Sequence, residues 1–152
     1  MPPYTQDAKR LSLLFDYGVA AAREVIDWAD SQIVALDSPP DALMQLAVTR
    51  PDDTGAIISH LHALSTEAEF WSAFRAVLGR LHRHVVSHPD DAARIATHLY
   101  RTAVMLSKVP REFSFIYGYD DAFVLAKDGT YGDADTVLKE FTEDLQRFTT
   151  AP

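Results

Sequence analysis

The chain has 152 residues, no cysteine, and 22 acidic against 14 basic side chains, which give a formal net charge of −8. The lack of cysteine excludes disulfides, thiolate metal sites and cysteine nucleophiles. The negative charge argues against a nucleic-acid partner, because such binding depends on neutralising phosphates. The length predicts a single domain over residues 1–152.

No stretch of the sequence has the length and apolarity of a membrane span. Residues 1–10 are polar and lack the apolar core of a signal peptide. We therefore expect no membrane association and a cytoplasmic location.

Apolar residues recur at helical spacing along the chain, and no segment alternates as a half-buried strand does. This pattern predicts helices over 8–17, 20–36, 40–48, 52–64, 67–86, 90–108, 111–127 (broken near Gly118) and 134–148. The predicted fold class is all-α, with about eight helices joined by short turns into antiparallel αα-hairpins.

Four segments place a Ser or Thr three residues before an acid, each at the start of a predicted helix: 38–41, 49–52, 66–69 and 87–90. In this spacing the hydroxyl can accept a hydrogen bond from an early backbone N–H, and the carboxylate lies at the positive end of the helix dipole. The pattern predicts that the four hydroxyls cap the helices.

The sequence contains one internal similarity. Residues 47–62 align without gaps on residues 85–100, with seven identities in sixteen positions. Both segments place Pro-Asp-Asp before a helix with Ile and Leu four residues apart, which resembles the start of a HEAT-repeat helix. The resemblance implies a short HEAT-like αα superhelix, whereas the convergence of two ordinary helix starts explains the similarity equally well.

His84 and His88 are four residues apart and share a helix face, as the two histidines of helical metal sites do. They also continue the apolar stripe of the helix predicted over 67–86, which favours partly buried core histidines. A metal-binding protein or metal-dependent helical enzyme that uses this pair is the alternative function. We assign no metal ligand.

Other signals of catalysis are absent from the sequence. It contains no Gly-x-Ser-x-Gly, no phosphate-binding glycine loop and no dinucleotide-binding motif. The loop that begins at Asp128 has Lys139 at its twelfth position, where a calcium-binding loop needs a bidentate Glu. The sequence therefore favours a non-enzymatic protein, with no predicted catalytic residue and no cofactor.

Tyrosine and aspartate are interleaved near the C-terminal end, in a region (112–152) with nine acidic and three basic side chains. Tyrosine is favoured at protein interfaces because it combines rigid apolar area with a polar tip. A basic protein would be steered towards such an acidic surface. The predicted partner-binding residues are Tyr117, Tyr119, Asp120, Asp121 and Asp128; rings that only close the end of the bundle are the alternative.

A small, acidic, cysteine-free helical chain with Phe15-Asp-Tyr-Gly18 and Val25-Ile-Asp-Trp-Ala-Asp30 resembles the small bacterial immunity-type proteins of toxin–immunity pairs. The resemblance implies a non-enzymatic module that covers a basic toxin domain and blocks its substrate site. A homo-oligomeric structural or adaptor subunit is a further alternative.

Overall fold

The structure, a computed structural model, describes residues 2–65, 70–106 and 108–149. Within these ranges the chain forms helices and no strand, so the all-α prediction is confirmed. The described residues form eight α-helices: α1 (Tyr4–Asp16), α2 (Ala22–Ala35), α3 (Asp41–Ala47), α4 (Thr54–Leu64), α5 (Phe70–Ser87), α6 (Ala92–Met105), α7 (Tyr119–Lys127) and α8 (Ala134–Gln146). None of these helices combines the length and apolarity that a bilayer-crossing segment needs.

Most helix ends lie within three residues of the predicted ones, and two predicted helices differ more. Helix α1 begins at Tyr4, four residues before the predicted start. The helix predicted over 111–127 breaks at Gly118 as expected, but its first half is a 3-10 segment, Arg111–Tyr117. Residues three apart are eclipsed in a 3-10 turn, so Phe113 and Ile116 are both buried on one side of this segment.

Three of the four predicted hydroxyl caps are wrong, and the fourth, at 66–69, lies outside the described residues. Ser38 does not cap α3, which has no side-chain cap, and Ser87 is the last residue of α5. The Thr49 hydroxyl donates instead to the backbone carbonyl four residues earlier, at 2.7 Å. Helix α4 is capped by the carboxylate of Asp53, which accepts from the backbone N–H three residues later at 3.2 Å. Aspartate replaces the hydroxyl because it is an equally good cap acceptor and lies closer to the helix.

The chain divides into two compact units, Met1–Val77 and Leu78–Pro152, and the division falls within α5. Each unit has its own set of buried apolar side chains. The prediction of a single domain stays a prediction, because two such units can form one domain or two.

In the first unit, α1 packs against α2 and α4, and α3 packs against α2 and α4. The turn between α1 and α2 requires a left-handed residue, which Gly18 provides at a φ of 72°. The fully buried side chains of these helices include Leu14, Tyr17, Val25, Leu43, Leu46, Ile57 and Leu61.

In the second unit, α6 packs against the 3-10 segment Arg111–Tyr117 and against α7, and α7 packs against α8. The fully buried side chains here include Leu78, Leu81, Ile95, Leu99, Phe113, Phe141 and Leu145. This core fixes the positions of α6, α7 and α8, which carry the surfaces described below.

The two similar segments have similar local structures. Each contains the end of one helix, a Pro-Asp-Asp turn and the start of the next helix. The Ile and Leu positions that they share are fully buried in both copies: Ile57, Leu61, Ile95 and Leu99. The HEAT-like nature of these segments stays a prediction.

Gly79 and Gly55 provide a matched pair of substitutions. A Cβ on Gly79 would lie 2.9 Å from the backbone oxygen of Phe148, whereas a Cβ on Gly55 would meet nothing within 4 Å. Alanine favours a helix over glycine by about 1 kcal/mol, so Gly55→Ala should raise the free energy of unfolding. Gly79→Ala should lower it, because the chain that contains Phe148 must move away. Thermal unfolding followed by circular dichroism measures both changes, and a stabilised Gly79→Ala variant would contradict the described packing.

Candidate functional site

Helix α7 is held on the second unit although it has no fully buried residue. Two of its rings, four residues apart, contact the buried ring of Phe141 on α8. The centroid of Tyr119 lies 4.9 Å from that of Phe141, and the Phe123 ring meets Phe141 edge-on at 5.6 Å. Since the spacing of four places Tyr119 and Phe123 on one helix face, this aromatic face of α7 is the one that packs inward.

A hydrogen bond fixes the start of α7 to α8. The hydroxyl of Tyr119 donates to the carboxylate of Asp144, and the guanidinium of Arg147 lies 3.1 Å from the same carboxylate. Burial raises the pKa of Tyr119 well above its ordinary value, and the hydrogen bond and the charge of Asp144 raise it further. The Tyr119 hydroxyl therefore stays protonated and donates its hydrogen bond to Asp144, which stabilises the fold.

Asp120 also bonds within the unit. Its carboxylate accepts a 2.6 Å hydrogen bond from the hydroxyl of Thr97 on α6. The bond joins α7 to α6, as the Tyr119 hydroxyl joins α7 to α8. Of the five predicted partner-binding residues, Tyr119 and Asp120 thus make intramolecular bonds.

The other three predicted residues, Tyr117, Asp121 and Asp128, are exposed. Tyr117 ends the preceding 3-10 segment, whereas Asp121 lies in the first turn of α7 and Asp128 caps its C-terminal end. The structure brings Asp121 and Asp128 onto the same side of α7, because seven residues make about two helical turns.

Apolar side chains that were not predicted as partner-binding lie between these two aspartates. Val124 and Leu125 are 53% and 38% exposed, and they lie three or four residues from both Asp121 and Asp128. We call these four residues the α7 face. No signal in the sequence separates Val124 and Leu125 from core residues, because apolar residues of a helix ordinarily face the core.

A groove lies beside α7. It has a volume of about 480 Å³ and is lined by Ala122, Tyr131, Gly132, Asp133, Thr136, Val137 and Glu140. Volumes of this size lie within the range of small-molecule pockets. Tyr131, which is 78% exposed, places an aromatic ring at the groove, and Asp133 and Glu140 add carboxylates to its lining.

One lining residue of this groove has a structural role. The Asp133 carboxylate caps α8, accepting from the backbone N–H of Thr136 at 3.2 Å and from its hydroxyl at 3.0 Å. The cap fixes the end of the loop that presents Tyr131.

The α7 face and the groove both combine apolar area with carboxylates.

The predicted histidine pair lies elsewhere in the second unit. The rings of His84 and His88 stack with centroids 4.6 Å apart, and the Nε2 atom of His84 lies 2.7 Å from a carboxylate oxygen of Asp91. The side chain of His84 is only 16% exposed, as expected for a core histidine. His88 is exposed, so the prediction of burial is wrong for it, because it lies beyond the last residue of α5.

Asp91 is held in its ionised form by this cluster. The hydrogen bond with His84 lowers its pKa below the ordinary value of 3.8, and the charge of Arg94 lowers it further. Across the described ranges, no group of three or more His, Asp or Glu side chains is arranged to hold a metal ion. The metal-binding alternative stays a prediction.

The two similar segments differ at this cluster. Asp53 in the first copy caps α4, whereas the corresponding Asp91 makes no side-chain cap and instead contacts His84. One residue before the aligned segments, the fully buried Leu46 of the first corresponds to His84 of the second. The change from Leu to His explains why the same aspartate has a different partner in each copy.

Comparison with protein-family models, with curated proteins and with solved structures finds no match to this chain.

Removing the Tyr119 hydroxyl tests the attachment of α7. Tyr119→Phe keeps the ring on Phe141 but deletes a hydrogen bond to a charged acceptor, so the free energy of unfolding should fall by about 1–2 kcal/mol. Chemical denaturation measures the change. Tyr117→Phe is the matched control, because Tyr117 is exposed, and it should leave stability unchanged.

The Asp91 contacts predict a pH-dependent stability. Because the folded-state pKa of Asp91 is lowered, its stabilising effect is present above the ordinary pKa of 3.8 and is lost as the pH falls through the lower folded value. Asp91→Asn should therefore be less stable than wild type at neutral pH and equally stable in strong acid. Denaturation at a series of pH values measures the difference, with Asp90→Asn as the exposed control. A difference that is constant with pH would contradict the described contacts.

Proposed function

We propose that this chain is a cytoplasmic, non-enzymatic protein-binding module, and that the α7 face and the adjoining groove bind a basic protein. The observation that carries the proposal is the exposed apolar pair Val124 and Leu125 between two carboxylates on a helix with no fully buried residue. Exposed apolar side chains grouped within a polar rim are typical of interaction sites.

The charge of the region supports a basic partner. The segment 112–152 carries nine acidic and three basic side chains. An acidic rim raises the rate of association with a basic protein, and the apolar centre supplies affinity when it is buried. The exposed Tyr131 fits the role of an anchor, because tyrosine is enriched among the residues that dominate binding energy.

In its more specific form, the proposal is an immunity-type role. The partner is then a toxin domain with a basic substrate site, and the acidic surface of this chain covers that site. The early segments 15–18 and 25–30 and the small, acidic, helical character of the chain support this form.

The test uses the product of the gene adjacent to the one that encodes this chain. The two purified proteins are mixed, and calorimetry measures the dissociation constant at low and at high salt. We expect binding that weakens as salt rises, because the rim charges are screened, and neutralisation of any toxic activity of the partner. Leu125→Asp and Tyr131→Ala should each weaken binding about tenfold or more, as is typical of central interface residues.

Val34→Asp is the matched control for these variants, since Val34 lies on α2 and is 89% exposed. It should bind as wild type does. Absence of any complex with the adjacent gene product would overturn the immunity-type role. A complex that tolerates Leu125→Asp and Tyr131→Ala but not Val34→Asp would overturn the proposed surface.

A further inference from the structure

Helix α6 also exposes apolar side chains on its outward side. Val104 and Met105 are 60% and 84% exposed, and Tyr100 and Arg101 lie one turn before them. Tyr100 and Val104 are four residues apart, as are Arg101 and Met105, so the two pairs lie side by side on one surface. We call them the α6 face.

The α6 face and the α7 face carry opposite charges. Helix α6 contains Arg94 and Arg101 and no acidic residue, whereas Asp121 and Asp128 flank the apolar pair of α7. Arg101 and Asp121 form no ion pair with any residue in the ranges 2–65, 70–106 and 108–149. Arg94 is paired with Asp91, so the charge contrast between the two faces consists of Arg101 on α6 against Asp121 and Asp128 on α7.

The two faces adjoin on the same unit. Helices α6 and α7 pack against each other, and the Thr97–Asp120 hydrogen bond joins them. Thr97 lies one turn before Arg101, and Asp120 lies one turn before Val124, so the bond joins the two helices one turn before each face. Exposed apolar side chains next to Arg101 on α6, and next to Asp121 and Asp128 on α7, therefore lie on neighbouring helices.

From this arrangement we infer that a second copy of this chain docks here and forms a two-fold symmetric dimer. A two-fold axis between α6 and α7 places the α6 face of each protomer on the α7 face of the other. Arg101 of each protomer then lies opposite the aspartates of the partner's α7 face, so the opposite charges meet at two symmetry-related places. The apolar centres of both faces are covered. Val104 and Met105 of one protomer pack against the apolar pair of α7 in the partner.

The dimer has a consequence for the proposed function, and this inference shares the α7 face with it. A basic partner and a second copy cannot occupy the same α7 face together. Binding of the partner therefore dissociates the dimer, and the dimer covers the surface while no partner is present. A change of stoichiometry on partner binding is expected by mass action.

Charge reversal tests the dimer. Sedimentation equilibrium of the wild type should give a mass that rises with concentration towards twice 16.9 kDa. Arg101→Glu and Asp121→Arg each place like charges together at two symmetry-related positions, so each should raise the dimer dissociation constant about tenfold or more. The double variant and an equimolar mixture of the two single variants both restore opposite charges, and both should recover the dimer.

Arg23→Glu and Asp30→Arg are the matched controls, because these exposed residues lie on α2, and they should dimerise as wild type does. A wild type that is monomeric at all concentrations would overturn the inference. So would single variants that dimerise normally, or single variants whose loss the double variant and the mixture fail to recover. Circular dichroism of each variant separates a lost interface from a lost fold.

The outcomes also separate this inference from the proposed function. If the wild type is monomeric but still binds the adjacent gene product through Leu125 and Tyr131, only the inferred dimer is contradicted. If the chain dimerises, and the charge-reversal variants lose and recover the dimer as expected, but no adjacent gene product binds, only the immunity-type role is contradicted.

Discussion

The contact of Tyr119 with α8 is the constraint on which the α7 face depends, and both the proposed partner and the proposed second copy bind that face. Helix α7 has nine residues and none of them is fully buried, so its position rests on the contacts of half-buried side chains. The ring of Tyr119 packs on Phe141 and its hydroxyl donates to Asp144. Because these contacts turn the aromatic side of α7 inward, Val124 and Leu125 turn outward.

The uneven charge of the sequence acquires a structural meaning in the second unit. The basic residues of 75–111 include those of α6, and the acidic excess of 112–152 surrounds α7 and α8. The two helices pack side by side, and Asp120 of α7 bonds to Thr97 of α6, whereas Asp121 and Asp128 are exposed. Much of the opposite charge therefore lies on the surface, where it can select a partner or a second copy.

Helical periodicity predicted the fold class and most helix positions, because burial of one side of each helix leaves a repeating pattern. It did not predict the 3-10 segment, since Phe113 and Ile116 share a side in either kind of helix. It also did not separate Asp120 from Asp121. Adjacent residues diverge on a helix, but only tertiary structure shows that Thr97 contacts the first and that the second faces outward. The same limit applied to Val124 and Leu125, whose apolar character in sequence suits a core position equally well.

The most direct test of the central claim, that α7 presents a protein-binding face, is hydrogen exchange with and without the bound protein product of the adjacent gene. We predict slower exchange of backbone amides in α7 and in the loop 128–133 on binding, with the first unit unchanged. In the free Tyr119→Phe variant, which loses the hydrogen bond to Asp144, the backbone amides of α7 should exchange faster than in the free wild type. Slower exchange confined to α1–α4, with α7 unaffected, would contradict the account.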